Sequence, residues 1–285
     1  MARNLINAGH TLVVNDVNEA ATAAHRELGA TWAATPREVA SQSEAIFTSL
    51  PGPAEVDAVA LGDDGLIKGI TPGAIYVDLS TGSPTAIRRV AERIEAAGAH
   101  VVDAPVSGGV QGADKGTLAV MVGGDPEIVE RIRPLLEVLG GSVVYVGDVG
   151  SGTVAKLVHN AISMTTRIVI QEGMALAVKA GVDANVMLTV LREASFGKQL
   201  VLTDHIPDLV LQGDFDHPRF SLGLSHKDVS LALELAREME VPMAMAQMAD
   251  EEIQRGIDRG WADRDNLVTF LLAEERAGVE VRDKK

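Results

Sequence analysis

Cysteine is absent from the 285-residue chain, which excludes disulfides, a thiolate nucleophile and any cysteine-ligated metal centre. Aromatic residues make up only 3%, so core packing must rest on Ala, Val, Leu and Ile. Basic side chains are in deficit: 25 Lys and Arg stand against 40 Asp and Glu, a formal net charge of −15. A chain this acidic is repelled by phosphate backbones and anionic lipid unless it carries a basic patch. Its Lys and Arg are instead scattered among carboxylates, so no nucleic acid and no membrane surface is expected as a partner. No stretch reaches the ~18 apolar residues that a spanning helix needs. Met1–Leu5 has neither the charged start nor the apolar run of a secretory signal. The expectation is a cytoplasmic protein without a metal site.

What is present is a change of pattern along the chain. Short β-like runs occur at Thr11–Asn15, Ala45–Ser49, Ile75–Asp78, His100–Asp103, Leu118–Gly123 and Val143–Val146, most of them rich in Val and Ile. Helical patterns lie between them at Glu19–Leu28, Pro84–Ala97 and Pro126–Leu139. Strands alternating with helices predict a parallel sheet covered on both faces. Beyond Gly147 the pattern turns helical. One long periodic stretch, Thr153–Ala180, is followed by Ala184–Glu193, Lys198–Leu211, Lys227–Met239, Met243–Arg259 and Asn266–Glu275. The fold class expected is therefore α/β, a Rossmann-like dinucleotide-binding domain over residues 1–148, followed by an all-α domain over 149–285. The charged residues from Gly278 to Lys285 are expected to be a mobile tail.

A dinucleotide-binding half should open with a strand and a glycine-rich turn. This chain opens instead on a helix-like Met1–Ala8, and no G-x-G-x-x-G precedes Asp16. The reading is that the first strand and glycine loop are missing. Asp16 ends the run from Thr11 and fits the carboxylate that takes adenosine ribose hydroxyls, although an Asp after a strand is also a common turn residue.

Three further segments have the residue types of a reacting centre. Gly150–Asn160 begins the long helical stretch; Lys156 and Asn160 lie one turn apart and share a face. A lysine among Ala155, Leu157 and Val158 is costly to bury as a cation and could exchange a proton with a reacting oxygen. The other reading is a snorkelling lysine beside a surface Asn. His159 is read as structural. Asp103–Gly109 follows a strand with small residues, as a carboxylate-binding loop or an ordinary tight turn would. Asp78–Pro84 also follows a strand; its hydroxyls could meet a cofactor, or cap a helix at Ser83. Later, Lys227 and Asp228 are read as opening a helix, where a lysine is unfavourable and hints at an anionic partner.

In order and spacing, these segments resemble the β-hydroxyacid dehydrogenase family, which includes 3-hydroxyisobutyrate dehydrogenase and tartronate semialdehyde reductase. The resemblance runs from Met1 to about Ala277 and starts just after the family's glycine loop. It implies hydride transfer between NAD(H) and a small 3-hydroxy acid or semialdehyde. It also implies roles: Lys156 as general acid and base, Asn160 positioning the reacting oxygen, and Ser107, Gly108 and Gly109 binding the substrate carboxylate. Leu50, Pro51 and Thr81 would touch the cofactor, with Lys227 reaching it from the helical domain. Asp16 repels a 2′-phosphate and Val17 offers no cation for one, so NAD is expected over NADP. Phe196, Lys198 and Arg219 are candidates to line the substrate pocket. A homodimer or homotetramer is expected. The alternatives are a catalytically silent NAD-fold binding protein, a 6-phosphogluconate dehydrogenase-like enzyme and an imine-reducing relative; retention of Lys156 argues against the first and third.

Overall fold

The computed structural model describes residues 1–283. Its first part runs α1 (Ala2–Asn7), β1 (Val13–Val14), α2 (Ala23–Glu27), β2 (Thr31–Trp32), α3 (Pro36–Ser41), β3 (Ala45–Thr48) and α4 (Pro53–Leu61). It continues β4 (Ile75–Asp78), α5 (Pro84–Glu95), β5 (His100–Asp103), β6 (Val106–Ser107), α6 (Gly109–Lys115), β7 (Leu118–Gly123), α7 (Pro126–Leu139) and β8 (Gly140–Gly147). Helices follow: α8 (Ser151–Lys179), α9 (Ala184–Glu193), a π-helix at Val201–Val210, α10 (Leu222–Glu238), α11 (Ala244–Asp258) and α12 (Phe270–Ala277). The chain divides into two units, Met1–Ile162 and Ser163–Lys285.

Strands β1 and β2 pair in parallel as a separate two-stranded sheet, while six strands form the main sheet in the order β3–β4–β5–β7–β6 with β8 on β7. The expected parallel arrangement holds for β3–β4, β4–β5 and β7–β8. It fails at β7, which runs antiparallel to both β5 and β6. The short α6 turns the chain back there, so that no crossover helix is needed.

Alternation along the central strands builds a core on each face. Ile75 and Val77 of β4 and Val102 of β5 join Ile128, Ile132, Leu136 and Leu139 of α7 on one side. Tyr76 and Val101 face the other way and join Ile87, Val90 and Ile94 of α5. Both helices start as their sequences require: Ser83 accepts from the Ala86 N–H and Asp125 from those of Glu127 and Ile128, each with Pro in the first turn.

Several elements differ from expectation. Helix α3 is capped by Thr35, which accepts from Glu38 N–H, while Glu38 accepts from Ala34 N–H; the segment is too short to show a helical period in the sequence. The same brevity hides β2. Strand β8 starts at Gly140, directly after α7, because that glycine adopts extended backbone at φ −134°. Helix α10 begins at Leu222, where Ser221 accepts from Leu224 N–H. Lys227 therefore stands in the second turn, not at a helix start, and its position gives no sign of an anionic partner.

In the second unit, Val210, Phe215, Leu222 and Val268 form the buried core. Asp265 is buried beside it and accepts from the N–H groups of Arg219 and Leu267. The tail is held as far as Asp283: Arg282 pairs with Glu274, and Asp283 N–H donates to Leu211 O. Lys284 and Lys285 lie outside the described residues. Among the described residues no strand follows Gly147, and no helix is long and apolar enough to cross a membrane.

Candidate active site

Strands β3, β4 and β5 are in parallel register, with Thr48 beside Asp78 and Asp78 beside Asp103. Their carboxyl ends therefore open at one edge, where open α/β sheets receive ligands. Two buried carboxylates organise the loops that leave this edge.

Asp78 accepts from Thr48 Oγ1 at 2.8 Å and from Ser80 N–H at 3.1 Å, and Thr48 Oγ1 also lies 2.9 Å from the Tyr76 hydroxyl. Ser80 Oγ in turn accepts from Leu50 N–H at 2.9 Å. This network ties the loop carrying Leu50 and Pro51 to the loop carrying Thr81. Burial pushes the Asp78 carboxyl up, against the pull of its hydrogen bonds to Ser80 and Thr48. Tyr76 is pushed up by burial and by the charge of Asp78, so it remains a neutral phenol.

Asp103 is 1% exposed. It accepts from Gly150 N–H at 2.7 Å, Thr153 N–H at 2.6 Å and Thr153 Oγ1 at 2.8 Å. A strand residue thus caps the start of α8, satisfying N–H groups that a helix leaves unpaired. Burial raises its carboxyl pKa, opposed by those same donors. Glycine is required for the approach: a Cβ on Gly152 would collide with the Met121 and Asp103 carbonyl oxygens, and one on Gly123 with Asp103 itself.

This cap aims the next turn of α8. Lys156 is 7% exposed, whereas Val154, Leu157 and Val158 are 42%, 40% and 53% exposed. The usual amphipathic order is inverted, with the cation inside and the aliphatic residues outside. Burial alone lowers the pKa of the Lys156 amine, as expected of a group poised for proton exchange. Asn160 follows one turn on, half-buried.

Ser107, Gly108 and Gly109 connect β6 to α6. Gly108 and Gly109 sit at φ +138° and +62°, backbone that a side chain disfavours. Ser107 Oγ lies 3.1 Å from His159 Nε2. His159, read from sequence as structural, is thus drawn to the loop that also carries the expected carboxylate-binding residues. The signal was present: positions three apart on a helix are surface neighbours just as positions four apart are.

Other expected residues have no bond in these networks. Asp16 is exposed beyond β1, and its Oδ1 accepts from Asn18 N–H at 2.8 Å, so it shapes a turn while remaining accessible. Lys227 belongs to the second unit and lies 3.0 Å from Asp228 on the exposed face of α10. Arg219 pairs with Asp208, and Phe196 is 47% exposed. The exposed carboxylate of Asp16 is of the type that accepts ribose hydroxyls of a nicotinamide dinucleotide. The glycine-rich pyrophosphate cradle is not among the 285 residues.

Comparison with known proteins agrees with this geometry. Residues 1–147 match the NAD-binding domain of 6-phosphogluconate dehydrogenase, and residues 150–271 match the NAD-binding family of NADP-dependent 3-hydroxyisobutyrate dehydrogenase. The chain is 34% identical to 2-(hydroxymethyl)glutarate dehydrogenase of Eubacterium barkeri over 99% of its own length and 93% of the relative's. It is also 34% identical to the mitochondrial 3-hydroxyisobutyrate dehydrogenase of Drosophila melanogaster, over 98% of this chain and 87% of that one. The solved 3-hydroxyisobutyrate dehydrogenase of Mycobacterium tuberculosis with L-serine superposes with a TM-score of 0.65 at 29% identity, covering 95% of this chain and 94% of the other. With Lys156 buried behind a carboxylate cap and NAD-binding sequence on the sheet, the chain belongs to the β-hydroxyacid dehydrogenase family, the NAD-dependent oxidoreductases that act on the hydroxyl group of small hydroxy acids.

Proposed function

We propose that Lys156 is the general acid and base for interconversion of a small 3-hydroxy acid and its semialdehyde, of the kind represented by 3-hydroxyisobutyrate and tartronate semialdehyde. The observation that carries this reading is the inverted start of α8: a lysine buried with lowered proton affinity beside exposed aliphatic neighbours. In reduction Lys156 Nζ gives its proton to the carbonyl oxygen; in oxidation it takes the hydroxyl proton back. Asn160 donates to the same oxygen and fixes its position. Ser107, Gly108 and Gly109 hold the substrate carboxylate, which orients the reacting carbon. When bound, the nicotinamide supplies or receives the hydride. Asp16 takes the ribose hydroxyls and disfavours a 2′-phosphate, so NAD is preferred to NADP. Leu50, Pro51 and Thr81 contact the cofactor from the β3 and β4 loops.

Residues 1–148 serve as the dinucleotide-binding domain and 149–285 as the substrate and oligomerisation domain. A second copy of the chain is the protein partner, as homodimer or homotetramer. Exposed Ile162, Ile168 and Val169 on α8 and Val186 and Val190 on α9 support that assignment. The location proposed is the cytoplasm. NADH and NADPH fluorescence titrations, followed by a semialdehyde panel, test the reading. NADH-selective binding with semialdehyde turnover is expected; binding without turnover of any semialdehyde contradicts it.

A further inference from the structure

His159 has no part in the proton transfer assigned to Lys156, yet its ring touches the substrate loop. Its Nε2 lies 3.1 Å from Ser107 Oγ, across the gap between α8 and the end of β6. A serine hydroxyl has one proton to give and two lone pairs to fill. If that proton were spent on the imidazole, Ser107 could only accept, and an accepting oxygen repels a carboxylate. If Nε2 carries the hydrogen and donates to Oγ, the hydroxyl proton is free to point at an anion. A donor behind the hydroxyl also polarises it and strengthens the bond it gives.

We infer that His159 is a positioning residue for acid substrates: its Nε2–H donates to Ser107 Oγ and turns the Ser107 hydroxyl proton toward the substrate carboxylate. The inference rests on the carboxylate role proposed for Ser107 and deepens it. It makes discrimination between acid and neutral aldehydes a property of α8 as well as of the loop. The same helix then supplies both the proton, from Lys156, and the orientation of the anion subsite, one turn later.

The test compares succinic semialdehyde with butanal, a neutral aldehyde of equal carbon number, in the NADH-dependent direction. His159→Ala is expected to raise KM for succinic semialdehyde about tenfold, the worth of one hydrogen bond to a charged group. Its kcat should stay within about twofold, and kcat/KM for butanal should not change. His159→Gln places an amide N–H at similar reach and should restore KM for the acid. Equal losses on both aldehydes, an unchanged acid KM in His159→Ala, or no rescue by Gln overturns the inference. A second measurement is independent of turnover. Titration with 3-hydroxypropionate should move the His159 ring C–H resonance in the parent protein and leave it in place in Ser107→Ala. That shift in a protein without semialdehyde turnover would sink the activity while sparing the subsite; turnover without the shift would sink the subsite alone.

Discussion

The two units differ in the size of their cores and in the aliphatic surface that they leave uncovered. In Met1–Ile162, polar groups go inside and find partners: Asp78 and Asp103 are buried with donors on them, between two aliphatic cores. In Ser163–Lys285, a small core around Phe215 is buried while Val186, Val190 and Leu202 stay 57%, 51% and 63% exposed. Both units bury carboxylates under donors, Asp265 in the second as Asp78 and Asp103 in the first, but those of the first end β4 and β5, where the loops of a reacting centre leave the sheet. The second leaves aliphatic surface uncovered, as surfaces awaiting another protein do. Lys156 is 7% exposed while its neighbours Val154, Leu157 and Val158 are at least 40% exposed, so a buried polar group and uncovered aliphatic ones meet within two turns of α8.

Four substitutions would break or sharpen this contrast. Leu136→Ala empties a fully buried position under the main sheet and should cost about 3 kcal/mol in urea unfolding; a cost below about 1 kcal/mol would mean that the first core is looser than described. Asp103→Ala removes three bonds from the start of α8 and should cost about 2 kcal/mol, with kcat falling more than KM rises, because Lys156 loses its placement.

Lys156→Met should stabilise by about 1 kcal/mol at neutral pH while abolishing turnover. Its sign follows from linkage. The folded amine has a lowered pKa, so between that value and the unfolded 10.5 the unfolded chain binds more protons and stability rises with pH. Below the folded pKa the whole penalty is present, and above the unfolded pKa it is gone. The parent protein should therefore gain stability on the alkaline side of neutrality relative to Lys156→Met, and parallel pH profiles would remove the buried cation from the account. Smallest in stability is Val186→Ser on exposed α9, expected to change unfolding of the monomer by less than about 0.5 kcal/mol while shifting sedimentation toward monomer. An unchanged assembly would free that face from the interface.

Legibility followed the range of the interactions. Pro84 and Pro126 with their Ser and Asp caps are local signals, and α5 and α7 lie where the sequence puts them. The aliphatic runs at Ile75 and His100 are likewise strands. Long-range features were not legible. The antiparallel β7 depends on how α6 turns the chain, and nothing near Leu118 records its partners. The role of Asp103 depends on donors at Gly150 and Thr153 that meet it only in the folded sheet. His159 reads as structural in the sequence because it is off the face shared by Lys156 and Asn160, and its partner Ser107 is distant in sequence. The α10 start was misplaced because Ser221 precedes Leu222-Gly223-Leu224, which has no polar first turn.

The central claim is that the buried amine of Lys156 moves the proton. Lys156→Ala should be assayed for semialdehyde reduction and, on the same sample, for NADH binding by fluorescence. The account predicts turnover reduced by at least about a hundredfold with the NADH Kd within about threefold of the parent. Substantial turnover in Lys156→Ala with cofactor binding intact would contradict it.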